Sequence, residues 1–331
     1  MSTALLEVNE LEVTFRRPAG PGRKAAFVPA VRGVSFRVEA GTTLGIAGES
    51  GSGKSTIART LMGINKPSSG SMYLNGANVG SLRGAELSKY RQTMQMIFQD
   101  PYDSLDPRMK VAKMLLEAIK LRRNAPVNPL REVHQLLEKV GLSSSFGSRR
   151  PGELSGGQRQ RVSIARALCV DPRLILCDEA VSALDVSVRA QVLNLLKDLQ
   201  EDLNLAYLFI SHDLSTLRFM ADYVAIMYLG KIVEIGTRDE IFERPQHPYT
   251  RALLAAVPEP IVVDQANRPQ RVRLTGEPPS SINPPSGCSF HPRCPLAEEV
   301  CRTISPARRQ TTSGQMAACH FADPVEVVAE A

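Results

Sequence analysis

Nine residues, Gly48-Glu49-Ser50-Gly51-Ser52-Gly53-Lys54-Ser55-Thr56, constrain this chain more than any others. They match G-x-x-x-x-G-K-[ST], a loop whose glycines let backbone N–H groups turn inward around a phosphate chain. Lys54 is placed to reach β- and γ-phosphates, and the Ser55 hydroxyl to ligate Mg²⁺. The context agrees. Thr43 to Ala47 reads as a short buried strand, and Ile57 to Met62 as the opening of a helix. The positive end of that helix would face the phosphates.

The 331 residues leave room for one large domain or two, with a sizeable core. No apolar run reaches the ~18 residues of a membrane span. The longest, such as Leu205 to Ile210 and Tyr223 to Leu229, are strand-length. Met-Ser-Thr-Ala at the start lacks the basic patch and apolar segment of a signal peptide. The expected location is the cytoplasm, with any membrane role exerted through a partner. A net charge of +6 reads as a scattered solvated surface, and no nucleic-acid partner is expected. Four of the six cysteines fall between Cys288 and Cys319. In a cytosolic chain such clustering points to metal more than to disulfides.

Taken in order, Leu5 to Phe15 and Val31 to Val38 predict strands, with a Pro/Gly/basic loop from Arg16 to Pro29. Ser71 to Leu74 with Asn75-Gly76 predicts a hairpin, and Met94 to Phe98 another strand. Lys110 to Leu121 and Leu130 to Val140 carry helical periodicity. Residues from about 102 to 171 read as a helical insertion. Strands return at Leu174 to Cys177, Ala206 to Ile210, Tyr223 to Met227 and Lys231 to Ile235. Helices lie between or beyond them at about Val186 to Asp202, Leu214 to Met220 and Asp239 to Phe242. A final helix spans Tyr249 to Val257. Alternation of this kind implies an α/β fold with a mainly parallel core sheet. The expected organisation adds an N-terminal antiparallel β portion and divides the chain into 1–257 and a Pro/Cys-rich extension, 258–331. No internal repeat is evident.

Two further stretches carry chemistry. Leu174-Ile175-Leu176-Cys177-Asp178-Glu179 delivers two carboxylates at the end of a buried strand, where α/β sheets place ligand chemistry. Asp178 is expected to hold Mg²⁺ through water, and Glu179 to polarise the water that attacks a γ-phosphate. Leu154-Ser155-Gly156-Gly157-Gln158 precedes a helix running to about Leu168, a second anion-binding helix start. A head-to-tail dimer would give that second start a use, closing it over nucleotide held by the facing subunit. Arg159, Arg161 and Arg166 form either part of that site or only a basic face.

In this order, Gly48 to Thr56, Gln99, Leu154 to Gln158, Asp178-Glu179, Ser182 to Asp185 and His212 resemble ABC-transporter ATPase subunits over about Leu5 to Val257. The resemblance implies ATP and Mg²⁺ as cofactors. It implies that Gln99 senses Mg²⁺ and the attacking water, that Asp185 crosses a dimer interface and that His212 contacts the γ-phosphate. It places Phe15 as the aromatic that stacks on adenine. His247-Pro248-Tyr249-Thr250, Gly287-Cys288 and Phe290-His291-Pro292-Arg293-Cys294-Pro295 resemble the C-terminal region of oligopeptide/dipeptide importer ATPases. Glu179-Ala180-Val181-Ser182 is similar to the F-type member of that pair. This implies a heterodimer with a D-type ATPase, two transmembrane permease subunits and an extracytoplasmic peptide-binding protein. The chain would then lie at the cytoplasmic face of the membrane. Nickel or glutathione is the alternative cargo.

Cys288, Cys294, Cys301 and Cys319 lack a C-x-x-C pair, so spacing alone leaves Zn²⁺ and [4Fe–4S] both open. His291 and His320 could replace a thiolate in a zinc site. Resemblance to the peptide-importer ATPases favours the [4Fe–4S] cluster. Cys169 and Cys177 are expected to be ordinary buried residues. Two other functions compete. A soluble ABC ATPase of DNA repair or translation would usually carry coiled-coil insertions or two cassettes, whereas this chain has one cassette and no sustained heptads. A P-loop kinase would leave the Leu154 to Gln158 stretch unexplained.

Overall fold

The computed structural model describes residues 4–17, 26–100, 102, 104–122, 126–256, 277 and 279–323. Strand β1 (Leu6–Arg17) pairs antiparallel with β2 (Ala26–Val38), Leu6 opposite Val38 and Phe15 opposite Val28. Strand β3 (Thr43–Ala47) is buried at every position and feeds helix α1 (Lys54–Leu61) through the glycine loop. Strands β4 (Ser69–Leu74) and β5 (Ala77–Asn78) form the expected hairpin. Asn75 and Gly76 sit at φ 49° and 76°, the left-handed pair that a type I′ turn requires. The four strands make a sheet in the order β2-β1-β4-β5.

Helix α2 (Gly84–Thr93) leads into β6 (Met94–Ile97). Helices α3 (Val111–Ile119), α4 (Pro129–Lys139) and α5 (Gly156–Leu168) precede β7 (Leu174–Asp178). Next come α6 (Val186–Leu203), β8 (Ala206–Ile210), α7 (Leu214–Met220), β9 (Tyr223–Tyr228) and β10 (Lys231–Thr237). The described remainder holds α8 (Arg238–Glu243), α9 (Pro248–Ala255), α10 (Glu299–Thr303), β11 (Arg309–Gln310) and β12 (Met316–Ala317). The second sheet has eight strands in the order β11-β12-β10-β9-β3-β8-β7-β6. Neighbours from β9 through β6 run parallel, while β10, β12 and β11 add an antiparallel edge.

The apolar runs of β7 and β8 have no polar alternation because both faces are covered. Successive side chains divide between two cores. Ile175, Cys177, Tyr207 and Phe209 pack with Leu115, Leu137, Val162 and Leu196 of the helices. Leu174, Leu176, Leu208 and Ile210 join Leu6, Val34 and Ile57, under the antiparallel sheet. Each fully buried leucine or isoleucine contributes about 1.5–3 kcal/mol relative to an exposed one. The central sheet is therefore a rigid base for whatever its C-terminal ends carry.

Strands β3 and β8 and helix α7 fall where the sequence places them. Strand β2 begins at Ala26, inside the expected loop. It tolerates Pro29 because β2 is the edge strand, where a missing N–H interrupts no ladder. Residues 18–25 of that loop lie outside the described residues, as do Pro278 and the expected boundary at Val257 and Pro258. Helix α2 buries only Tyr90, so it offers no periodic stripe to read. Strands β11 and β12 are two residues each, below what alternation reveals. They tie the tail to the core sheet: Glu234 of β10 faces Ala317 of β12, and Ala318 N–H donates to Val233 O at 2.8 Å.

Candidate active site

The strand ladder fixes the glycine loop. Strand β3 lies between β8 and β9, with Ala47 opposite Ile226, so residues 48–53 emerge at the C-terminal edge of the sheet. A Cβ on Gly48 would sit 2.1 Å from Met227 O, and one on Gly53 (φ 105°) 2.3 Å from Ala30 O. The loop rests directly on the backbones of β9 and β2, and only glycine fits at both points. Ser50 and Gly51 form its exposed crest, and the Ser52 C=O accepts from Gly230 N–H at 2.9 Å. The Lys54 ammonium is buried and donates to the carbonyls of Gly48 (2.7 Å) and Glu49 (2.9 Å). Burial lowers its pKa, and Glu179, Asp178 and Glu49 oppose that shift. Ser55 Oγ donates to Asp178 Oδ1 at 2.8 Å, and Thr56 continues α1. Burial raises the Asp178 pKa, with the Ser55 hydrogen bond opposing. A hydroxyl and a carboxylate this close, at the edge of a phosphate loop, form an oxygen donor set that fits Mg²⁺.

Glu179 follows β7 with φ 51°, a left-handed conformation that costs a non-glycine residue on the order of 1–3 kcal/mol. The surroundings impose it. Its N–H donates to Ile210 O at 3.0 Å, and its C=O accepts from Ser182 Oγ at 2.9 Å. The twist brings its carboxylate to His212 Nδ1, 3.2 Å away, so two residues singled out separately in the sequence meet. Gln99 is exposed, two residues beyond Ile97, whose ladder partner is Cys177; Glu179 stands the same distance beyond Cys177.

Ser155 and Gln158 form a reciprocal cap at the start of α5. Gln158 N–H donates to Ser155 Oγ, and Ser155 N–H to Gln158 Oε1. Gly157 packs on the start of α6, where an added Cβ would meet Val188 Cγ1 at 2.4 Å; one on Gly156 would meet nothing closer than 3.8 Å. Exposed Asp185 caps α6 by accepting from Val188 N–H at 2.9 Å, the main cause of its lowered pKa. The three arginines are structural ties rather than a free basic face. Arg161 donates to Val140 O at 2.7 Å, Arg166 to Ser104 O, and Arg159 stacks over Tyr102 at 4.4 Å. Among the described residues no hydrogen bond or ion pair joins Leu154 to Gln158 with Gly48 to Thr56. Phe15 is 41% exposed on the antiparallel sheet; Phe27 belongs to the next ladder pair and so points to the opposite face.

A sequence profile described as ABC transporter matches residues 31–182, and one described as oligopeptide/dipeptide transporter, C-terminal region, matches 233–301. A probable peptide ABC transporter ATP-binding protein of Sinorhizobium fredii is 49% identical over 98% of this chain and 92% of its own length. The chain belongs to the ABC transporter ATP-binding family. A dipeptide transport ATP-binding protein of Haemophilus influenzae is 47% identical, covering 97% of this chain and 98% of that protein. Among solved structures, a dimeric ATP-binding cassette in a post-hydrolysis state with ADP and Pi aligns with TM-score 0.62. It is 27% identical, over 70% of this chain and 98% of that one. This ABC protein is an ATPase cassette.

The ABC cassette's tail departs from expectation. The four cysteines are neighbours: Cys288 N–H donates to Cys301 O at 2.8 Å, and the charges of the Cys288, Cys294, Cys301 and Cys319 thiols act on one another. Burial raises the Cys288, Cys294 and Cys319 thiols, Cys294 to about 11. Yet among the described residues no group of three or more His, Cys, Asp or Glu side chains is arranged to hold a metal ion. This arrangement does not support the expected iron–sulfur centre. His291 and His320, the alternative zinc ligands, each engage a backbone carbonyl, of Cys288 and Ile304. Cys169 and Cys177 are buried as expected, and burial pushes the Cys169 thiol up to about 12. The structure also adds a residue the sequence reading passed over. Arg293, within the noted Phe290 to Pro295 motif, forms a forked ion pair with Glu49 of the glycine loop.

Proposed function

We propose that this cassette energises import of oligopeptides or dipeptides across the cytoplasmic membrane. The observation that carries this reading is the match of residues 233–301 to the oligopeptide/dipeptide transporter C-terminal region. The named relatives, peptide and dipeptide transport proteins matched over nearly their whole length, support it. The partners are two membrane permeases, an extracytoplasmic peptide-binding protein and a D-type ATPase as the second cassette. The chain sits at the cytoplasmic face through the permeases; no helix among its described residues is long and apolar enough to cross a membrane. Residues 1–257 act as the ATPase domain, with 258–331 as its extension.

In the mechanism we infer, the loop amides from Glu49 to Thr56 and the Lys54 ammonium bind the phosphates of ATP. Phe15 stacks on its adenine. Ser55, Asp178 and Gln99 would hold Mg²⁺, which would supply positive charge to offset that of the phosphates. Glu179 accepts a hydrogen bond from the attacking water and orients it in line, while His212 Nδ1 fixes the carboxylate's aim. Ser155, Gly156, Gly157, Gln158 and Asp185 face the partner's nucleotide. The dimeric form of a similar cassette supports that assignment. Affinity purification from detergent-solubilised membranes tests the whole reading. The expected result is recovery with two polytopic proteins and stimulation of ATPase activity by a peptide-loaded binding protein. Recovery of a lone chain with bound nucleic acid would overturn it.

For the tail we propose a [4Fe–4S] cluster on Cys288, Cys294, Cys301 and Cys319, with one Zn²⁺ as its competitor. What supports this reading is the softness of four thiolate donors gathered in one short segment, with Cys288 N–H bonded to Cys301 O at 2.8 Å. The cluster would supply a structural pin. Anaerobic purification should give a brown chain with about four irons, lost in Cys294→Ser. A colourless chain with a single zinc would replace the cluster by the zinc site.

A further inference from the structure

Glu49 is an unwelcome residue on a phosphate-binding loop. Its carboxylate stands one residue into the cradle, where it would repel a polyphosphate. The structure shows how it is restrained. Its N–H donates to Tyr249 Oη at 2.9 Å, and its C=O accepts from Ser52 N–H (3.2 Å) and Lys54 Nζ (2.9 Å). Its two carboxylate oxygens accept separately from Arg293 Nη1 (2.9 Å) and Nη2 (3.0 Å). The Arg293 side chain is 6% exposed. It lies beside the Tyr228 ring, and Tyr228, Tyr249 and Phe290 pack against one another with centroids 4.6–5.4 Å apart. Arg293 comes from the cysteine-bearing tail, 244 residues along the chain from its partner. Backbone bonds from Arg293 N–H to Phe290 O and from Cys294 N–H to His291 O hold its short turn.

We propose that Arg293 is a positioning residue for nucleotide binding: it neutralises Glu49 and draws that carboxylate out of the phosphate cradle, so that the tail sets the ATP affinity of the loop. This rests on the phosphate-binding role of the loop. The forked pairing fixes direction as well as charge, which a lysine would not do equally well. The Arg293 side chain is almost wholly enclosed while Glu49 keeps a quarter of its surface in water, so Arg293 is the partner that most needs its counter-charge.

The test is a double-mutant cycle on the full-length chain, read by fluorescent ATP and AMP analogues. Arg293→Met keeps the apolar stem and removes the charge. It should weaken ATP binding about tenfold or more, and AMP binding far less, because repulsion grows with phosphate charge. In the Glu49→Gln background the same replacement should cost less than about threefold, since no carboxylate remains to be neutralised. Equal losses in both backgrounds, or equal losses for ATP and AMP, would overturn the proposal and leave Arg293 a packing residue. If Arg293→Met does not fold, Arg293→Lys carries the same cycle. Its ATP loss should be intermediate and should vanish beside Glu49→Gln; a loss that persists there would equally overturn it.

Discussion

Glu179→Gln will bind ATP with near-normal affinity and hydrolyse it at least about a hundredfold more slowly. Glutamine keeps the length and shape of glutamate, so the left-handed turn at Glu179, its N–H bond to Ile210 and the bond from Ser182 all persist. What is lost is a negatively charged acceptor for water. The new amide also offers a donor toward His212 Nδ1, where the carboxylate accepted one at 3.2 Å. Binding and chemistry should therefore separate, and with the partner cassette present the variant should accumulate as an ATP-bound closed dimer. Lys54→Ala should do the reverse, weakening binding itself, because it deletes the one buried cation of the loop. Steady-state hydrolysis by purified Glu179→Gln at the wild-type rate would remove Glu179 from its catalytic role.

The second large effect is expected at the start of α5. Gly157 looks the obvious target, but any side chain there strikes Val188 within the same chain, so its loss would confound folding with function. Gly156 has space, its nearest neighbour to an added Cβ being 3.8 Å away. Gly156→Asp should leave the isolated chain folded with unchanged ATP affinity. With this segment facing a partner's nucleotide, as proposed, the new carboxylate would meet the γ-phosphate in a poorly solvated contact, where like charges repel strongly. Dimer closure and transport-coupled hydrolysis should fall by an order of magnitude or more. Weakened ATP binding by the monomer alone would show that this segment serves its own chain's nucleotide.

Much of this site was legible because its parts are local. The glycine loop, the acids that end β7 and the capped start of α5 each carry their chemistry within a few consecutive residues. Strands β3, β7 and β8 were readable because a doubly covered parallel strand is a short, wholly apolar run. What stayed hidden depends on distant partners. Nothing near Arg293 announces that it would clasp Glu49, because the pairing exists only once the tail has folded back over the loop. Helix α2 and strands β11 and β12 escaped notice for a related reason. One buries a single residue, and the others are too short for any period to show.

The place of β3 in the sheet has a consequence for how the protein is made. It is an early segment, yet both its neighbours are late ones, and Thr43 N–H bonds to Asp222, 179 residues further on. On a ribosome adding about 5–20 residues per second, β3 waits roughly 10–40 seconds for its flanking strands. During that interval the growing chain can close its antiparallel sheet and its helical segments, but not the cradle for phosphate. Loop-closure entropy must be spent before those remote contacts return anything. Nucleotide therefore cannot template the early stages of folding; it can only capture a cassette whose C-terminal half has already been synthesised.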